Sequence, residues 1–250
     1  MNIKITPQYE YMRAFIETLP HVFEQQGEVI YNARNKIKVI AAPDGTLLNV
    51  KRFHVPHGVN SIVYSWGIRK PKGRRAFEYA KILTDSGIDT PQPVALIESR
   101  NVLGILGFSY LVTIQCGYGH TLYEVGDAKP GEYECLARAL AHFAARIHAH
   151  DILHKDFTPG NVLWKQDDEG FHFMLVDINR MRFGAVGIKT GLKNLCRFWG
   201  PKDFIRLLAK EYARIRNYDE QEAIDYVLRK RRKFWTRYSK KHEIPFELEL

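Results

Sequence analysis

Asp156 and Asn161 stand five residues apart in ILHKDFTPGNVLW, just after a run of helix formers, and another carboxylate, Asp177, closes the apolar run Met174–Val176. Phosphoryl transfer to a hydroxyl needs residues of these types. The attacking hydroxyl requires a carboxylate to orient it and take its proton, while the nucleotide phosphates require Mg²⁺ held by hard oxygen ligands. Asp156 suits the first task, and Asn161 with Asp177 suits the second. Taken alone, Asp156 to Asn161 also fits a plain polar turn, since Pro159 and Gly160 lie between them. Asp177 at the end of an apolar strand tilts the balance towards chemistry.

These residues need elements to position them. From about Gly27 to Ile114 the signals are mostly strands. GEVIYNARNKIKVI reads as two strands around an Asn-Ala-Arg-Asn turn, and a Pro-Asp-Gly turn precedes a third strand over Leu47–Phe53. A helix follows in RRAFEYAKILTDSG, where Ala76, Tyr79, Ala80 and Leu83 fall at i, i+3, i+4 and i+7 and Gly87 supplies a stop. PVALIE and FSYLVTI continue the strands. From Glu132 onward helices dominate, and Leu136, Leu140, Phe143, Ala144 and Ile147 form one apolar stripe leading to the Asp156 segment. The layout is α+β, with lobes expected over 1–117 and 118–250 and a ligand cleft expected between them.

Composition narrows the partners. The 250 residues hold 45% apolar side chains and 11 prolines, enough for a substantial core. Lys plus Arg exceeds Asp plus Glu by nine, so anionic partners are expected: nucleotide phosphates, an acidic lipid surface or nucleic acid. Cys116, Cys135 and Cys196 show no CxxC spacing, which fits a reduced, cytoplasmic compartment. The longest nearly apolar stretch, Val102–Ile114, falls short of the roughly 20 residues of a spanning helix, and MNIKITPQYEYMRAF has no signal-type apolar core.

HKDFTPGN resembles the catalytic loop of protein-kinase-like enzymes, with Asp177 where their metal-binding Asp stands. LLNVKRF resembles the strand that carries a phosphate-binding lysine, here Lys51, and Glu78 in AFEYAKIL resembles the helix carboxylate that pairs with it. More narrowly, AFEYAKILTDSGIDTPQPVA, ARIHAHDILHKDFTPGNVLW, LVDINRMRF and GLKNLCRFWGPKDFIRLLAKEY are similar to the lipopolysaccharide kinase family, which phosphorylates Kdo or heptose of the inner core. This resemblance implies a bilobal kinase-like fold, ATP and Mg²⁺ as cofactors, and a sugar hydroxyl on a membrane-embedded glycolipid as acceptor. It also implies that backbone near Gln115, Cys116 and Gly117 holds adenine. The sequence departs from protein kinases in having no GxGxxG, so the YNARNK turn and Arg34 would cover the phosphates. Thr158 replaces a lysine common in Ser/Thr kinases, and Ile178 and Asn179 follow Asp177 in place of Phe-Gly. A kinase for a protein or small-molecule acceptor, or a silent kinase-fold scaffold, stays open as an alternative.

One further signal lies in the tail. Eight Lys or Arg fall between Arg229 and Lys241, with Phe234, Trp235 and Tyr238 interleaved. Such a segment suits an anionic membrane surface at the inner face of the inner membrane, where the acceptor would be anchored. A solvated helix face with Phe234 and Trp235 packed inward fits the residues equally. Nucleic acid ranks third, because no nucleic-acid module accompanies the patch. In the 54–73 insertion, Arg69, Lys70 and Lys72 would face an anionic acceptor.

Overall fold

The computed structural model describes residues 1–250, except for the side chain of Asn60. The chain divides into two compact units, Met1–Gly117 and Tyr118–Leu250.

The first unit is built on β1 (Asn2–Ile5), α1 (Arg13–Val22), β2 (Glu28–Asn32), β3 (Lys36–Ala41), β4 (Leu47–Phe53), α2 (Val59–Ser65), α3 (Lys72–Asp85), β5 (Pro93–Arg100) and β6 (Leu106–Ile114). Its strands form an antiparallel sheet in the order β1-β5-β6-β4-β3-β2. Strand alternation gives the sheet two working faces. Leu48 and Val50 of β4 join Ile16, Leu19 and Phe23 in one apolar cluster, and Arg52 lies over the Phe23 ring. The intervening residues face the other way. Phe53 closes on Gly73 of α3, where an added Cβ would come within 3.3 Å of its ring, and the Lys51 ammonium lies 5.3 Å from the Phe53 ring centroid.

The strand signals in the sequence start only near Gly27, so β1 and α1 are elements of the 1–117 unit that the pattern does not reveal. β1 is short, pairing with β5 from Asn2↔Glu98 to Ile5↔Ala95. α1 carries Pro20, which reads as a helix breaker but lies in its last turn, where little helix remains to break. Lys38 fastens the end of this segment. It is only 3% exposed, and its ammonium donates to the carbonyls of Phe23, Glu24 and Gln26 at 2.8, 3.2 and 2.6 Å. Three donors meet three acceptors, which removes most of the cost of burying the charge.

The second unit runs β7 (His120–Thr121), α4 (Glu134–Ala149), β8 (Ile152–His154), β9 (Val162–Asp167), β10 (Gly170–Leu175), β11 (Met181–Phe183), α5 (Ile188–Leu195), α6 (Lys202–Ile215) and α7 (Glu220–Tyr238). The apolar stripe of α4 is buried as its spacing predicts, with Leu136, Leu140, Ala144 and Ile147 all nearly inaccessible. Glu211 of α6 is buried between two guanidiniums, those of Arg138 on α4 and Arg214 one turn on. Two small antiparallel ladders sit beside the helices: β10-β9-β7 and β11-β8.

Residues beyond α7 fold back as a strap. Arg231, buried in α7, donates to the carbonyls of Glu249 at 2.7 Å and Gly200 at 2.9 Å. The Lys202 N–H donates to the Glu249 carboxylate at 2.7 Å, and the Phe246 ring meets Trp199 with centroids 4.4 Å apart. Trp235 is buried against Trp199, so it takes the inward-packed option, while Tyr238 stays exposed.

Candidate active site

The second unit brings Asp156, Asn161 and Asp177 to one set of strand ends. β9 and β10 pair from Gly170↔Asp167 to Leu175↔Val162, so Asn161 and Val176 flank the last pair of the hairpin. The Val176 N–H donates to the Asn161 carbonyl at 3.1 Å. The Asn161 amide NH₂ donates to the Asp156 carbonyl at 2.8 Å, which closes the five-residue turn and leaves the amide oxygen as the end that can serve a cation. Asp177 has left-handed backbone, φ 52°, and its Oδ1 accepts from the Asn179 side chain at 2.7 Å. Asn179 is buried, and its own Oδ1 lacks a hydrogen-bond partner.

His154 fixes the start of the loop. Its Nδ1 accepts from the Asp156 N–H at 3.1 Å, so its Nε2 carries the proton and donates to the Val176 carbonyl at 3.1 Å. That one imidazole ties the Asp156 turn to the strand that delivers Asp177. Burial holds it neutral by pushing its pKa below the ordinary histidine value. A second layer supports it. The Asn194 NH₂ donates to the His154 carbonyl at 3.1 Å, the His148 Nε2–H donates to Asn194 Oδ1 at 3.2 Å, and the Tyr212 hydroxyl donates to His148 Nδ1 at 2.8 Å. Desolvation lowers the His148 pKa to about 4 and raises that of Tyr212 to about 12, so both stay uncharged at neutral pH. Gly191 of α5 makes the approach possible: a Cβ there would lie 1.9 Å from the Tyr212 hydroxyl oxygen.

Two arginines aim the Asp156 carboxylate. Arg197 donates to Oδ1 at 2.9 Å and also to the Lys155 carbonyl at 2.9 Å, while Arg180 donates to Oδ2 at 3.0 Å. Sequence reasoning did not find Arg180, Arg197, Asn179 or Asn194. The Arg197 and Asn194 contacts span about forty positions, beyond any local pattern.

The first unit holds the other residues expected to serve the nucleotide. Lys51 shares its sheet face with α3, the helix that carries Glu78. The Glu78 carboxylate accepts from Lys70 at 2.6 Å, so this lysine of the 54–73 insertion is engaged by α3. Arg34 lies in the turn between β2 and β3, where the Ala33 N–H donates to the Asn35 carbonyl at 3.1 Å. At the end of β6, the Gln115 N–H donates to Leu47 at 2.9 Å and its side-chain oxygen accepts from Asn49 at 2.9 Å, leaving Cys116 and Gly117 as the last residues of the unit.

Residues 21–222 match the lipopolysaccharide kinase (Kdo/WaaP) family. The chain belongs to that family. Among solved structures it is similar to WaaP in complex with acyl carrier protein, at 17% identity over 94% of this chain and 100% of that one, with a TM-score of 0.61. The Rio2 kinase from Chaetomium thermophilum, solved as an ADP/Mg²⁺-phosphoaspartate complex, aligns at 12% identity over 95% of this chain and 73% of that one, with a TM-score of 0.48. No curated protein matches. The fold is therefore the α+β kinase-like one, with an antiparallel sheet in the first unit and a mainly helical second unit. Membership makes the chain a kinase of the lipopolysaccharide class and implies ATP as phosphoryl donor.

The residues suit the Mg²⁺ that such kinases use. Among the described residues no group of three or more His, Cys, Asp or Glu could cage a metal by itself. Mg²⁺ in kinases asks for less: one or two protein oxygens plus the substrate phosphates. Asp177 and the Asn161 amide oxygen meet that demand.

Proposed function

We propose that the chain transfers the γ-phosphoryl group of ATP to a sugar hydroxyl, of Kdo or heptose, in the lipopolysaccharide inner core. The observation that carries this reading is the Asp156–Asn161–Asp177 constellation, closed by Asn161 on the Asp156 carbonyl and by Val176 on the Asn161 carbonyl.

In this reading Asp156, steadied by Arg180 and Arg197, accepts a hydrogen bond from the acceptor hydroxyl and receives its proton as the new P–O bond forms. The bond from the γ-phosphorus to the bridging oxygen breaks, and ADP leaves. Lys51 supplies a positive charge to the nucleotide phosphates, Glu78, which holds Lys70 in this structure, would turn to orient it, and the turn around Arg34 covers the phosphates with backbone N–H groups. Backbone at Gln115, Cys116 and Gly117 pairs with the adenine edge. Asn161 and Asp177 would hold Mg²⁺, which when bound offsets the charge of the phosphate oxygens.

Among the described residues no helix is long and apolar enough to cross a membrane. An acceptor anchored in the cytoplasmic leaflet would therefore be met from the surface, with Tyr238 and the exposed cations of Arg229–Lys241, the buried Arg231 excepted, contributing attraction to anionic lipid.

The test is ATP turnover by purified protein with Mg²⁺, with and without a lipid A-type acceptor bearing Kdo or heptose. Acceptor-dependent phosphate transfer that disappears in both Asp156→Ala and Asp177→Ala supports the reading. Nucleotide binding without transfer to any such acceptor overturns the choice of acceptor. If nucleotide with Mg²⁺ fails to raise the melting temperature, the chain is a silent scaffold.

A further inference from the structure

The second unit contains a cavity of about 550 Å³ whose lining comes from β8, the residue after it, α5 and its end, and α7. Its charged lining residues are all cationic: Lys155, Lys193, Arg197, Lys230, Lys233 and Arg237. Among the described residues no carboxylate lines it, although the chain has 28 Asp and Glu to place. The two walls have the same helical logic. Lys230, Lys233 and Arg237 fall at i, i+3 and i+7 on α7, so one stripe of that helix faces inward, and Lys193 and Arg197 project from the α5 side. Leu153, Cys196 and Phe234 add apolar surface, which lowers the local dielectric and strengthens the attraction of these cations for an anion. Arg197 is balanced by Asp156, but gathering the other five cations around one cavity is unfavourable for the empty protein, and an anionic ligand relieves it.

The cavity adjoins the reacting residue. Lys155 immediately precedes Asp156, and Arg197 spans both: it lines the cavity, stacks over Phe234 at 5.5 Å, and donates to Asp156 Oδ1 at 2.9 Å. Neither Asn161 nor Asp177 lines it, so it is distinct from the residues assigned to Mg²⁺ and the nucleotide phosphates.

We propose that this cavity is the acceptor's anion subsite: it takes a phosphate- or carboxylate-bearing part of the sugar acceptor and thereby presents a neighbouring hydroxyl to Asp156. The inference rests on the kinase reading for its purpose, but the binding itself does not depend on turnover. It predicts that neutral sugars are poor acceptors and that acceptors with acidic groups next to the target hydroxyl are good ones. It also gives half of the basic α7 segment a role in acceptor recognition.

The experiment uses the full chain and its Lys233→Gln/Arg237→Gln double variant, both positions being exposed, with Lys193→Gln on the opposite wall as an independent second variant. Fructose 1,6-bisphosphate, citrate and fructose are titrated by calorimetry in the presence of saturating ADP and Mg²⁺. The subsite predicts that both anions bind, that fructose does not, and that each variant weakens binding about tenfold while the melting temperature stays put, as expected for lost charge-assisted hydrogen bonds. In the transfer assay the variants should raise the acceptor KM about tenfold and leave the ATP KM unchanged. Displacement of the probes by ADP would overturn the proposal, because the cavity would then be serving the nucleotide. So would variants that lose affinity for phosphatidylglycerol vesicles but keep it for the soluble anions. Anion binding in the cavity by a protein that transfers no phosphate would sink the kinase reading and keep the subsite. Transfer with a wild-type acceptor KM in both variants would do the reverse.

Discussion

The loop carrying Asp156 and the strand carrying Lys51 are held in opposite ways. Around Asp156, each support has a support of its own: Asn161 and His154 brace the turn, Asn194 braces His154, His148 braces Asn194, and Tyr212 braces His148. The strand that carries Lys51 is held by the sheet ladder, with Phe53 beneath the ammonium, and beyond β3 lies β2, an edge strand whose five residues are all exposed. The difference fits what each part would do. A carboxylate that meets a hydroxyl in line must be placed within a fraction of an ångström, whereas a lysine facing phosphates acts as a point charge on a flexible stem. Rigidity is concentrated where direction matters.

That comparison can be broken at its strong end first. Asp156→Asn keeps the shape of the carboxylate and removes its basicity, so kcat should fall about a hundred- to ten-thousand-fold, with the nucleotide-induced rise in melting temperature retained. Loss of the nucleotide response as well would mean that Asp156 organises the site more than it takes a proton. Gly191→Ala strikes the support instead. With 1.9 Å between the new Cβ and the Tyr212 oxygen, the His148–Tyr212 bond must open, at a cost of about 3 kcal/mol in urea unfolding, and activity should fall with it. An unchanged urea midpoint would show that the network is incidental to the loop.

Acid probes the same network without mutation. His148 is held neutral with a pKa of about 4, below the unfolded value near 6.5, so the unfolded chain binds the extra proton between those limits. The stabilisation is complete above pH 6.5 and is lost as pH falls towards 4, by roughly 3 kcal/mol. His154, shifted in the same direction, steepens the loss. In His148→Gln the slope of stability against pH across this window should shrink by about one proton's worth. The smallest effect on stability is expected at the other end of the comparison. Lys51→Met should raise the ATP KM or lower kcat by a combined factor of about ten to a hundred, with urea stability unchanged within about 0.5 kcal/mol.

How far the sequence was readable follows the same division. β4 was legible to the residue because a Pro-Asp-Gly turn marks its start and alternation does the rest, and this alternation puts Lys51 on the face that α3 covers. The α4 stripe and the Asp156–Asn161 spacing were legible for the same local reason. The arginines on Asp156, the Asn179 contact with Asp177 and the three-residue relay behind His154 were not, because their partners come from α5 and its end, α6 and the loop before β11. Lys38 was hidden differently: a lysine in an alternating strand reads as surface, and only the three carbonyls at the end of α1 make it a buried plug. Trp235 reads as a membrane-interface residue until Trp199, 36 positions earlier, is seen to cover it.

The strap over Arg231 bears on how the protein is made. Domains fold largely as they are synthesised, each completing when its own contacts are available. The carbonyl and carboxylate of Glu249, which satisfy Arg231 and Lys202, belong to the last-made residues of the second unit, whereas Lys155, Asp156 and Asn161 are translated long before. Until residues 246–249 have left the ribosome, a buried guanidinium in α7 lacks one of its two acceptors and Trp199 lacks the Phe246 ring. α7 therefore settles late, and because it forms one wall of the basic cavity, that cavity takes its final form only when synthesis of the unit has finished.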